Sequence, residues 1–285
     1  MNKKLIVMSS GGNLFRYKNQ LKKLKDNDNF EVFAFSNSFM FCVNELGFYP
    51  DYFLFIDPNS AMLSLEHIVK TKEKIKTKIL FLNPIHTKQN YSEFIEWYGT
   101  TPVGRGNHGG WDRFRKLVSM CKNNDNIETM EIPITTMKYL KKYDTKNTSL
   151  HSFDERVKNS KVGIKNTLDD TFNEDKLTAV VLPVLRKMNK NNSYLIGFDC
   201  MGGRYFTKLD KYSISRYPEK EEASKSKTDY FLATTANRGM DEAKKSIKMF
   251  LPKWSNYIKC TNLVEDKYTY LNKFIDYKPI EEVIK

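Results

Sequence analysis

The chain has 285 residues, 40% of them hydrophobic and 28% charged, with a formal net charge of +13. That apolar share is too high for a disordered chain, and no apolar run approaches the roughly 18 residues that span a membrane. Cys42, Cys121, Cys200 and Cys260 lie far apart with no C-x-x-C, which argues against a zinc site or a disulfide framework and suits a reducing, cytoplasmic compartment.

The first apolar run, Leu5 to Met8, is too short for the core of a signal peptide and reads as a strand ending at Ser9 and Ser10. Leu14, Tyr17, Leu21 and Leu24 then recur at helical spacing. "FEVFAFS" is a second strand, and the helix after it ends at Gly47, where a left-handed C-cap is expected. "PDYFLFID" is a third strand, followed by a helix from about Ser60 to Lys76; "KILFLNP" is a fourth, followed by "NYSEFIEWYG". Continuous apolar runs of this kind belong to strands buried on both faces, and their alternation with helices predicts a mostly parallel sheet.

The middle is less regular. "GTTPVGRGNHGGW" is rich in glycine and reads as a loop, and residues 141–175 are polar. Order returns with the helix "LTAVVLPVLRKMN", despite Pro183, and the strand "NSYLIGFD". A long polar stretch follows, then a helix near Asp241 to Phe250 and a strand "NYIKC". The fold class is therefore α/β, a Rossmann-like doubly wound and mostly parallel sheet with a lid or long loop insertions. The expected organisation is one Rossmann-like domain over residues 1–285, with an irregular insertion at 100–170 and a lid at 200–237.

In doubly wound sheets ligands sit at the carboxyl ends of the strands, so the residues that end each apolar run are the informative ones. The first run ends in Ser9-Ser10-Gly11-Gly12-Asn13, where small residues and hydroxyls suit an anion; a tight turn with nothing bound is the competing account. The second ends at Ser36-Asn37-Ser38, with an amide able to donate to and accept from a ribose or a base edge. The third ends at Asp57-Pro58-Asn59, where Asp57 either accepts from a sugar hydroxyl or caps the next helix. A later run ends at Gly197-Phe198-Asp199. No G-x-G-x-x-G, Walker lysine loop or strand-terminal D-x-D occurs, so a nucleoside monophosphate held without metal is the expected leaving group.

The stretch "VFAFSNSFMFCVNELGFYPDYFLFIDPNSAM" resembles one shared by the lipooligosaccharide sialyltransferases, the motility-associated flagellin glycosyltransferases and the hydroxymethylpterin diphosphokinases. "LTAVVLPVLRKMNKNNSYLIGFD" and "YIKCTNLVED" are similar to later motifs of that superfamily, whereas Ser9 to Leu14 departs from its G-x-G-P-S-L turn. The resemblance covers about the first ninety and the last hundred residues. It implies a Rossmann-like fold binding CMP, most often as a CMP-sugar, without metal or other cofactor. By position, Ser10, Gly11 and Gly12 would hold phosphate, and Asn37 and Asp57, with Asn59 beside them, ribose or base. Thr178 would hold phosphate or ribose, and Asp199 would shape the pocket floor.

The sialyltransferases use a lid histidine as base, but this chain has none after His151. His108 in "GRGNHGGWD" is then the first candidate base and Asp112 the second, with Trp111 and Tyr205 as stacking surfaces. The basic composition attracts polyanions, and Arg204, Lys208, Lys211 and Arg216 in the lid are the expected acceptor-binding residues. No basic amphipathic tail closes the chain, so no membrane partner is expected. The favoured activity is transfer of a sugar from a nucleotide-activated, CMP-linked donor to a hydroxylated base in DNA, of the hydroxymethylcytosine type. A sialyltransferase-like enzyme acting on a surface glycan, a pterin pyrophosphokinase and a non-catalytic nucleotide-binding module are the alternatives.

Overall fold

A computed structural model describes residues 3–55, 58–71, 73–84, 108–134, 177–198, 244, 247–252 and 254–285. Among these residues eight strands form one sheet in which every neighbouring pair is parallel. They are β1 (Lys4–Met8), β2 (Phe30–Phe35), β3 (Tyr52–Leu54), β4 (Lys78–Pro84), β5 (Glu128–Ile134), β6 (Asn192–Ile196), β7 (Lys259–Asn262) and β8 (Asp276–Tyr277). Their spatial order is β5-β4-β3-β2-β1-β6-β7-β8. The chain thus winds outward from β1 in one direction through β5, returns to the other side of β1, and winds outward again. The α/β doubly wound reading holds, and the order reverses between β1 and β6.

The central strands are central because they are apolar on both faces. Leu5, Ile6, Val7 and Met8 of β1 and Val32, Phe33, Ala34 and Phe35 of β2 are all buried. Between them run the short helices α1 (Asn13–Arg16) and α2 (Lys18–Lys22), interrupted at Tyr17. The four residues read as one helical face, Leu14, Tyr17, Leu21 and Leu24, are buried against the sheet. After β2, α3 (Ser38–Phe41) continues as a π-helical turn, Cys42–Leu46, and ends at Gly47 with φ +78°. That is the left-handed cap anticipated for this glycine. Helix α4 (Pro58–Lys70) starts and stops earlier than expected, with proline in its first turn, where the missing N–H breaks no hydrogen bond.

The middle of the chain is more regular than its composition suggests. Helix α5 (His108–Lys122) begins within the glycine-rich stretch read as a loop, and β5 follows it as an edge strand. Residues 108–134, inside the stretch expected to be irregular, belong to the sheet and its helical layer. Pro133 is tolerated in β5 because an edge strand has a flank that needs no ladder donor. A second π-helical turn, Leu177–Val181, leads into α6 (Leu182–Lys187), with Pro183 in its first turn. Near the carboxyl terminus residues 247–252 are helical, Trp254 and Ile258 are buried, and β7 starts at Lys259, later than "NYIKC" implied. Among the described residues no helix is long and apolar enough to cross a membrane.

Candidate functional site

The reversal of strand order places the carboxyl ends of β1 and β6 side by side, where ligands bind in sheets of this winding. The two ends are tied together by the backbone. Ser9 N–H donates to Ile196 O at 2.9 Å, and Gly11 N–H donates to Gly197 O at 2.8 Å. Gly197 has φ +81°, and a Cβ there would sit 2.5 Å from Ser9 O and 3.3 Å from Gly11 N. Only glycine fits this crossing, so the sequence Ile196-Gly197-Phe198 sets the position of the loop after β1.

The loop itself carries Ser10, buried at 7% exposure, with its Oγ enclosed and without a partner. Gly11 is occupied, since its N–H holds β6. Among the described residues the N–H groups of Ser10 and Gly12 make no backbone hydrogen bond. Helix α1 is a single turn, so the field of a long helix dipole adds little here. What the loop offers an anion is one hydroxyl and two amides.

The next strand end supplies Asn37. Ser36 takes φ +61°, its N–H donating to Leu54 O at 2.8 Å. Ser38 Oγ lies 2.9 Å from both Met8 O and Phe35 O, so its hydroxyl fastens the end of β2 to the end of β1. Ser38 is thus structural, whereas Asn37 is half-buried with its Oδ1 enclosed and unpartnered. A buried polar atom without a partner costs about 1–3 kcal/mol. Of the other such atoms, Ser64 Oγ lies within α4, Ser193 Oγ within β6, and Trp254 Nε1 in a helical stretch. Ser10 and Asn37 differ in standing at the ends of adjacent strands beside the reversal point.

Thr178 is fully buried in the π-helical turn that leads through α6 into β6. Asn59 lies in the first turn of α4 and His108 and Asp112 in the first turns of α5, though the side chains of all three lie outside the described residues. Asp57, Asp199, Arg204, Tyr205, Lys208, Lys211 and Arg216 also lie outside them. Phe55 and Phe198, the last described residues before the two aspartates, follow β3 and β6 at this same edge. Among the described residues no three His, Cys, Asp or Glu side chains are grouped as metal ligands are.

One wall of this edge was missed from the sequence. The segment after β7 folds back over α1, and Asn13 Nδ2 donates to Tyr268 O at 3.2 Å. The fold-back is stiffened by amides: Asn262 Nδ2 donates to Asn272 Oδ1 at 2.6 Å, and Asn272 Nδ2 donates to Val264 O at 2.8 Å and to Asp266 Oδ1 at 2.7 Å. Arg16 lies across the Tyr268 ring, its guanidinium carbon 3.6 Å from the centroid, while its Nε donates to Asn13 Oδ1 at 3.3 Å. On the same tyrosine, Lys267 Nζ lies 4.9 Å from the centroid, and its ammonium pKa is raised, chiefly by its hydrogen bond to Glu265. Asn13 and Tyr268, in the aromatic-rich segment "EDKYTY", are 255 residues apart, so no local pattern links them. Compared with known proteins, this chain matches no family model, no curated protein and no solved structure, so its own residues must carry the functional reading.

Proposed function

We propose that the protein is a glycosyltransferase that holds a nucleotide-activated sugar across the carboxyl ends of β2, β1 and β6. The observation that carries the nucleotide reading is the pair of enclosed, unpartnered atoms at adjacent strand ends, Ser10 Oγ and Asn37 Oδ1. A hydroxyl needs an acceptor for its proton, which a phosphate oxygen provides. A carbonyl oxygen needs a donor, which a ribose hydroxyl or an exocyclic amino group provides. One nucleoside phosphate supplies both with the spacing of neighbouring strands. The cytidylate identity and the sugar transfer rest on the superfamily resemblance of the strand-end motifs, and the DNA acceptor on the net charge of +13. The base that takes the acceptor proton is to be sought at His108 or Asp112.

The test is a thermal-shift screen of nucleoside monophosphates, then of nucleotide sugars, on wild type and Ser10→Ala. CMP should raise the melting temperature more than the other monophosphates, and S10A should lose most of that rise while melting close to wild type when unliganded. Equal shifts from all four monophosphates, or none, would remove the cytidylate reading; ATP protection that depends on magnesium would favour the pyrophosphokinase.

A further inference from the structure

We propose that Arg16 grips the phosphate of the bound nucleotide and that Tyr268 positions it to do so; this rests on the nucleotide reading above. Arg16 is exposed, and among the described residues no carboxylate pairs with it. An unpaired surface arginine ordinarily samples many rotamers. Here two contacts use up its freedom: the ring of Tyr268 under its face at 3.6 Å and the Nε bond to Asn13 Oδ1 at 3.3 Å. Those contacts consume the face and the Nε–H but leave the outward fork of the guanidinium, the pair of N–H groups that matches two phosphate oxygens.

The placement follows from helix geometry. A helical side chain leans toward the amino end of its helix, and the Nε bond to Asn13 Oδ1 draws Arg16 back to the first residue of α1, directly after the loop. Asn13 links the two ends of the device, since its Oδ1 takes Arg16 and its Nδ2 holds Tyr268 O. The loop after β1 offers a hydroxyl and neutral amides, which solvate a phosphate but do not neutralise it. Arg16 is the cation nearest in sequence to that loop on its helical side. A stacked arginine also keeps its orientation before the ligand arrives, so little rotamer entropy is lost on binding.

The experiment compares cytidine 5′-monophosphate with cytidine by isothermal titration on wild type, Arg16→Gln, Tyr268→Leu and Tyr268→Phe. R16Q should weaken CMP about ten- to a hundredfold and leave cytidine unchanged, because the lost bond is to a charged group. Y268L should weaken CMP in the same direction by a smaller factor, while Y268F, which keeps the ring under the guanidinium, should bind as wild type does. Inorganic phosphate should compete with CMP on wild type and fail to compete on R16Q. If wild type and R16Q bind CMP equally, or if R16Q weakens only DNA, Arg16 has no part in the donor site. If no nucleoside monophosphate binds wild type, the nucleotide reading falls and takes this one with it.

Discussion

His67 shows how a single side chain ties stability to pH. Its Nε2 lies 2.9 Å from Tyr49 Oη, its carbonyl accepts from Thr71 Oγ1 at 2.8 Å, and its ring lies 5.7 Å from that of Tyr49. Burial lowers its pKa below the ordinary 6.5, since the imidazolium loses solvation there. Between that lowered value and 6.5 the unfolded chain binds more protons than the folded one. Stability from this residue is therefore complete above 6.5 and falls as the pH drops. His67→Gln keeps an acceptor for Tyr49 but cannot titrate. The melting temperature of wild type should fall from pH 7.5 to pH 5.5 by more than that of H67Q, measured in matched buffers; equal falls would show that His67 carries none of the dependence. The thiols behave differently: burial pushes Cys121 and Cys260 up to about 12 and raises Cys42 as well, so all three stay protonated and unreactive near neutral pH.

At the scale of elements, the joint between β1 and β6 decides whether the candidate site exists. Gly197 is both left-handed and in contact with the backbone of Ser9, so Gly197→Ala meets two penalties. The backbone strain alone is worth about 1–3 kcal/mol, and the clash with a carbonyl oxygen adds to it because Ser9 cannot rotate away. G197A should lower the denaturation midpoint accordingly and should weaken nucleotide binding, since Ser10 and Gly11 move with Ser9. Gly47→Ala is the control: it is equally left-handed, but its Cβ would meet nothing within 4 Å, so it should show strain alone and leave ligand affinity untouched. The joint was only half legible in the sequence. Polar and glycine residues closing the apolar runs of β1, β2 and β6 marked the edge, because strands buried on both faces leave a continuous signal. β5 left none: "ETMEIPI" mixes glutamates and a proline with apolar residues, as an edge strand can, and glycines at the start of α5 hid the helix before it. The two-residue β8 is too short for any pattern, and the apolar Tyr257 and Ile258 drew the start of β7 too early. The Arg16–Tyr268 contact was invisible because it joins residues that only the eight-strand winding brings together.

For the molecule as a whole, the informative quantity is the charge of +13, on which the proposed acceptors differ. Some lysines are neutralised locally: Lys18 pairs with Glu45, Lys78 with Glu128, Lys122 with Glu131 and Lys190 with Glu31. With 47 basic against 34 acidic residues, pairing cannot consume them all. An excess of this size attracts a polyanion at long range and is screened by salt, whereas a neutral glycan acceptor feels almost none of it. If the acceptor is duplex DNA, the logarithm of the association constant should fall linearly with the logarithm of salt concentration, at a slope of about −0.9 per phosphate neutralised. A surface making about six such contacts would lose on the order of a thousandfold in affinity between 50 and 200 mM salt. Fluorescence anisotropy on hydroxymethylcytosine duplexes gives that slope, and sugar transfer to the same duplexes should decline in parallel when DNA is below saturation. The proposed donor site relies on local contacts at the strand ends, so CMP affinity should change far less over the same range. Those two slopes separate the readings: a steep acceptor slope with a shallow donor slope supports the DNA-modifying enzyme, and two shallow slopes point to a glycan. A steep slope without transfer at any salt would leave a basic nucleotide-binding protein that merely associates with DNA.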